Sequence, residues 1–213
     1  MGPKILPLAP ICIAAALSGL GNIAQAQEAI YKAELLPLNT GVTKSKATGE
    51  VTFTIEGDQL TIQVTAQEVP SAIEHLQHFH GFAEGSQTAK CPSVNNDKNG
   101  DGIIDLIETE PVAGTTMVPF HDDPVSMEIV RDTYPTADAD GSYAYTKTVS
   151  LSALEKSFAP KFDGQRLDLD RRVVFLHGVP ASTQLPASVA SLGDIPAHVT
   201  LPIACGEITK VDG

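Results

Sequence analysis

The chain is short of positive charge, histidine, cysteine and long apolar runs, and each shortage narrows what it can be. It carries 14 Lys+Arg against 26 Asp+Glu in 213 residues, a formal net charge of −12. So acidic a surface argues against nucleic acid and against anionic membranes, both of which call for clustered Lys and Arg. It suits solubility and divalent cations. Past residue 26 no segment is apolar enough for a membrane span. There is no nucleophile elbow and no reactive-cysteine motif, so no hydrolase arrangement stands out. Internal repeats and low-complexity tails are also missing.

The first residues stand apart. A single lysine, Lys4, precedes a mostly apolar run that ends in Ala24-Gln25-Ala26, the pattern of a signal peptide cleaved after a small residue. Pro7, Pro10, Gly19 and Gly21 break the run too often for a span, and Cys12 lacks the small residue expected before a lipidated cysteine. Residues 1–26 are therefore expected to be a signal peptide. Residues 27–213 are expected to be one domain, exported to the periplasm or outside the cell, large enough to bury a core without staples. Only Cys91 and Cys205 lie beyond the signal. Two cysteines in an exported chain most simply form one disulfide, two free thiols being the alternative. The bond would close a loop of over a hundred residues, worth about 4–5 kcal/mol in the chain-entropy account.

What the chain has is period-two alternation. Segments 29–38, 49–57, 59–69, 142–151 and 171–179 alternate or are rich in Val, Ile and Thr and read as strands. Residues 198–211 read as a last strand or pair of strands interrupted at Pro202. Glu56-Gly57-Asp58 is a hairpin signal, and 137–143 is an acidic turn opening a strand. One short helix is expected where Ser152 and Glu155 have capping-box spacing, ending at Pro160. Residues 180–196, rich in Ala, Ser and Pro, read as a long ordered loop. The fold class is all-β, an antiparallel sandwich or Greek-key barrel with one short helix and an inserted loop.

Of the six histidines, three fall in EHLQHFHGF, Glu74 to Phe82. On a strand, residues two apart share a face, so His78 and His80 point together while Phe79 points away. Two neighbouring imidazoles suit copper or zinc, although such pairs also occur on ordinary surfaces. His75 should face the other way and be structural. His177 ends the apolar strand VVFLHGV, where an ionisable group needs a partner. His121, between Phe120 and Asp122, reads equally as a ligand or as a solvated loop residue; His198 reads as ordinary.

The twelve residues 97–108, DKNGDGIIDLIE, have the spacing of an EF-hand calcium loop. Asp97, Asn99, Asp101 and Asp105 supply side-chain oxygens, Ile103 a carbonyl and Glu108 a bidentate carboxylate, with Gly102 at the sharp turn. No helix is expected before it, and one or two turns are expected after it, before Pro111. It would be a lone structural module with an affinity of about 10⁻⁴–10⁻³ M, ordering the segment between Cys91 and His121.

HLQHFHGF resembles the H-x-x-H-x-H-x-F signature of copper/zinc superoxide dismutases. Cys91 downstream, LHG after VVF, and IACGEI (203–208) are similar to further islands of that family, in its order. The resemblance implies an eight-stranded Greek-key barrel, copper on His78, His80 and His177 with His121 as a possible fourth ligand, a Cys91–Cys205 bridge, and His75 beneath the site. It also implies superoxide as substrate. The family's zinc subloop has no counterpart, and Pro202 stands where the family keeps an arginine three residues before its last cysteine. A second resemblance, carried by KAELLPLNTGV, GEVTFTIEGDQLTIQV, the His-x-His-Gly and DADGSYAY, is to the chordin-type (CHRD) domain of exported bacterial proteins. Three functions follow as expectations: a copper dismutase, an exported holder of copper or zinc without turnover, and a calcium-stabilised binding or adhesion module.

Overall fold

A computed structural model describes residues 1–2 and 28–211. All but the first two residues of the expected signal segment, Cys12 included, lie outside the described residues.

The chain forms strands β1 (Ala29–Pro37), β2 (Thr48–Glu56), β3 (Gln59–Gln67), β4 (Gln77–Gly81), β5 (Thr115–Pro119), β6 (Tyr143–Ser150), β7 (Val173–His177), β8 (Pro202–Glu207) and β9 (Thr209–Val211), with a helical turn, α1 (Thr40–Thr43), between β1 and β2. They join in one antiparallel sheet of order β5-β4-β7-β8-β1-β2-β3-β6, with β9 alongside β1. The fold is all-β. The meander β1–β2–β3 turns at Gly57, which sits at φ 59°, a conformation that glycine adopts without penalty. The chain then crosses the sheet twice, so that β6 returns beside β3 and β7 beside β4. Such crossings are the Greek-key pattern. The sheet curls without closing, since β5 and β6 are its two unpaired edges.

Alternation decides what fills the curl. Val51 and Phe53 of β2 and Leu60, Ile62, Val64 and Ala66 of β3 are buried together with Phe79, Phe120 and Leu176. Each of these side chains larger than alanine contributes about 1.5–3 kcal/mol of apolar burial. Helix α3 (Leu151–Phe158) adds Leu154 and Phe158 to the same core. Its cap is Ser150, whose Oγ accepts from the Ala153 N–H, and not Ser152, whose own groups bond Asp58.

Strand β7 is buried on both faces, which explains its unbroken apolar run. Val174 and Leu176 face the main core. Val173 and Phe175 belong to a second cluster with Ala89, Ala113 and Cys205. That outer face is covered by the chain between β4 and β5, which carries helix α2 (Leu106–Ala113). The Cys91–Cys205 disulfide, with Cα atoms 5.8 Å apart, fastens this cover to β8, and Lys90 pairs with Glu207 beside it. Arg172 runs buried under Gly81, donating from Nε to Leu167 O and from Nη2 to Gln165 Oε1.

Several expectations differ from the structure. Pro111 lies inside α2 and does not end it; having no N–H, it forfeits the one hydrogen bond that would run back to the carbonyl of Ile107. Residues 197–200 form a helical turn, α4 (Ala197–Thr200), and Pro202 begins β8 instead of interrupting a strand. Strand β5, an edge strand of five residues, follows Gly114 and is absent from the sequence reading.

Replacing both Cys91 and Cys205 by alanine is expected to cost about 4–5 kcal/mol, because the loop they close is long. Urea denaturation of the variant measures this. An unchanged midpoint would mean the cover is held by other contacts.

Candidate metal centre

The outer face of the β4–β7 pair carries three imidazoles. The register sets His78 opposite Phe175 and His80 opposite Val173. His177 lies two residues beyond Phe175 and so shares their face. Two irregularities fall at these residues. One interrupts the β4–β5 register between Phe79 and His80, and the other the β7–β8 register between Leu176 and His177. Bulges bend a strand and re-aim its side chains, and here both flank the histidines.

The rings come close. Their centroids are 4.7 Å apart for His78 and His80, 4.6 Å for His78 and His177, and 6.3 Å for His80 and His177. One nitrogen of each lies within 4.8 Å of one nitrogen of the others. All three side chains are buried.

Hydrogen bonds fix the free nitrogens. His177 Nδ1–H donates to Thr200 O at 2.7 Å, which leaves Nε2 as a lone pair with no partner. His78 Nδ1 is also buried without a partner. His80 Nδ1–H donates to Gly114 O at 3.2 Å, and its Nε2 accepts the Thr116 hydroxyl at 3.2 Å. Histidines that bind metals generally hold the second ring nitrogen on a carbonyl or carboxylate in this way. Gly114 cannot be another residue, since it lies at φ +72° and a Cβ there would meet Gly81 O at 2.1 Å.

Burial disfavours the charged rings. It lowers His80 to about 3, with repulsion from His177 adding to it. It lowers His177 to about 4, and places His78 well below the ordinary 6.5. The neutral imidazole is the form that binds metal.

His75 is buried behind the cluster, with Nδ1 2.9 Å from His177 O and Nε2 2.8 Å from Pro70 O. His121 does not join the three. Its Nδ1 accepts the Asp123 N–H and its Nε2–H donates to Glu128 O at 2.7 Å, so neither nitrogen is free. It is a buried structural residue packed edge-on against Tyr134, not a solvated one.

The acidic segment forms a tight loop. Asp97 accepts the N–H groups of Gly100 and Gly102, and Asn99 and Asp101 accept those two residues ahead. Glu108 accepts from Lys98, Asn99 and Asp105, and Asp105 caps α2. Among the described residues the histidines form the one cluster of three or more candidate ligands, and these carboxylates form none. Ile103, named for its carbonyl, is fully buried. Asn39 ties the loop to the sheet, donating to Ile104 O and Pro202 O and accepting the Ile104 N–H.

Thr116 and the carbonyls of Gly114 and Thr200 were not legible in the sequence. Carbonyls carry no side-chain signal. A glycine just before the β-rich TTMV was the one clue to Gly114.

No protein-family model matches this chain, and no curated protein matches it. Among the described residues no helix is long and apolar enough to cross a membrane.

The buried rings make the metal-free protein pH-sensitive. Unfolded, they take protons below about 6.5; folded, His177 and His80 resist until about 4 and about 3. The unfolded chain thus binds more protons in that window, so stability falls as pH drops through it. Urea midpoints of metal-free protein should decline from pH 6.5 towards 4. A flat profile would contradict neutral buried rings.

Proposed function

We propose that the chain is an exported protein that holds a copper or zinc ion on His78, His80 and His177. The observation that carries this reading is the pair of buried, unpartnered nitrogens, His78 Nδ1 and His177 Nε2, on two rings of a three-imidazole cluster. Leaving such a group unsatisfied costs about 1–3 kcal/mol, and a metal would offset that cost at both atoms. Imidazole donors suit copper and zinc. A bound copper would supply one-electron chemistry, a bound zinc Lewis acidity. The disulfide supports an oxidising compartment.

The dismutase resemblance favours copper; the sheet has Greek-key crossings but, unlike the closed barrel that resemblance implies, is open at β5 and β6. The charge pattern favours holding the metal over fast turnover of superoxide. Pro202 is buried at the start of β8. Arg172 is turned to Leu167 and Gln165, and Arg171 to Gly85 and Gln87. Among the described residues no arginine lines the site to attract a small anion.

Calcium on residues 97–108 is the second part of the proposal, supported by the twelve-residue spacing and by the turn closed through Asp97 and Gly102. Such an ion would replace backbone N–H groups as partner of the Glu108 carboxylate.

His78→Ala combined with His80→Ala should lower transition-metal affinity by more than about a hundredfold, beyond the loss from an outer-shell partner. Metal content after dialysis measures it, and full retention in the variant would remove the assignment. A superoxide assay on copper-loaded protein separates an enzyme from a holder. Glu108→Gln should weaken calcium binding about tenfold or more from about 10⁻⁴–10⁻³ M. Calorimetry tests this; absence of heat with the unaltered protein at millimolar calcium would dismiss the calcium reading.

A further inference from the structure

The three imidazoles line a cavity of about 420 Å³. That volume lies in the range of pockets for small organic ligands, about 300–1,000 Å³. Its walls are mostly apolar, with Leu76, Leu106, Met117, Met127, Phe162 and Leu192 contributing, beside the threonines Thr109, Thr115, Thr116 and Thr200.

Charge in the cavity does not favour an anion. Lys161 is the sole cation among its described lining residues, and its Nζ is 2.9 Å from Glu128 Oε1. Glu110 lines the same space. Apart from a bound metal, a small anion would meet no uncompensated positive charge, and it would leave the apolar walls wet. An uncharged apolar molecule would use those walls and incur no charge penalty. Met127 adds a second indication. It is held at φ 60°, a region that favours glycine, yet its side chain is buried and lines the cavity. Methionine also adapts its shape to varied apolar ligands.

We propose that the cavity takes an uncharged aromatic molecule that presents one neutral nitrogen or oxygen donor to the histidine-held metal. The donor part of this inference rests on the metal reading above. The apolar part rests on the cavity alone. Three protein ligands leave a coordination position for an exogenous atom, and the ring would occupy the space between α2, Met127 and Phe162.

The test uses cobalt-loaded protein, whose visible spectrum reports exogenous ligands, titrated with imidazole, 4-phenylimidazole and azide. The two azoles share a donor nitrogen and differ by one phenyl ring. 4-Phenylimidazole should bind about tenfold or more tightly than imidazole, as burial of a ring predicts, and more tightly than azide. Leu106→Asp changes a half-buried residue at the start of α2, where an acidic side chain favours the helix. This variant should lose the preference. Equal affinities for the two azoles, or tightest binding of azide, would overturn the proposal. Ligand-observed NMR of 4-phenylimidazole with metal-free protein provides the second arm. A signal lost in Leu106→Asp supports the apolar site even if no metal binds, whereas a protein that binds cobalt but shows no phenyl preference retains the metal reading and refutes this one.

Discussion

Two imidazole nitrogens, His78 Nδ1 and His177 Nε2, are buried without a partner on the outer face of the β4–β7 pair. An unsatisfied polar atom works against folding, and rings held 4.6–4.7 Å apart would repel one another if charged. The arrangement therefore depends on restraints that do not come from the rings. Backbone carbonyls of Gly114 and Thr200 fix the orientation of His80 and His177. Two register irregularities aim the strands. The disulfide keeps the covering segment over that face. A binding site formed this way is set before any ligand arrives, so little ordering cost would fall on binding.

Period-two alternation and turn residues made the meander readable, because β1, β2 and β3 bury one face and expose the other. The pairing of His78 with His80 was readable for the same reason. His177 was readable as a costly residue in an apolar strand. What placed it beside His78 was the register between β4 and β7, a long-range pairing with no local trace. The short edge strand β5 escaped notice because five residues with a proline at the end alternate weakly. His121 shows the opposite failure. Its neighbours Asp122 and Asp123 suggested a loop open to solvent or to metal, but the Asp123 N–H and the Glu128 carbonyl occupy both of its nitrogens.

The acidic loop and the histidine face are mechanically joined. Ser188 Oγ donates to Asp101, and the Ala190 N–H donates to Asp105 Oδ2. Two residues later Leu192 lines the histidine cavity, as do Leu106, Thr109 and Glu110 of the helix that Asp105 caps. Asn39 bonds both the loop and the carbonyl of Pro202, the β8 residue opposite His177. One carboxylate thus serves a helix cap on one side and a cavity wall on the other.

That sharing bears on what the site can select. Sequence resemblance points to a small anionic substrate, whereas the cavity offers apolar walls and a lysine already paired with Glu128. For an anion, the favourable terms would have to come from the metal alone, against a chain of net charge −12. For a neutral aromatic, the metal and the walls act together, and the acidic surface is of no consequence. Motif and pocket chemistry are separable features of a fold, and in this chain the motif resemblance and the pocket lining lead toward different ligands.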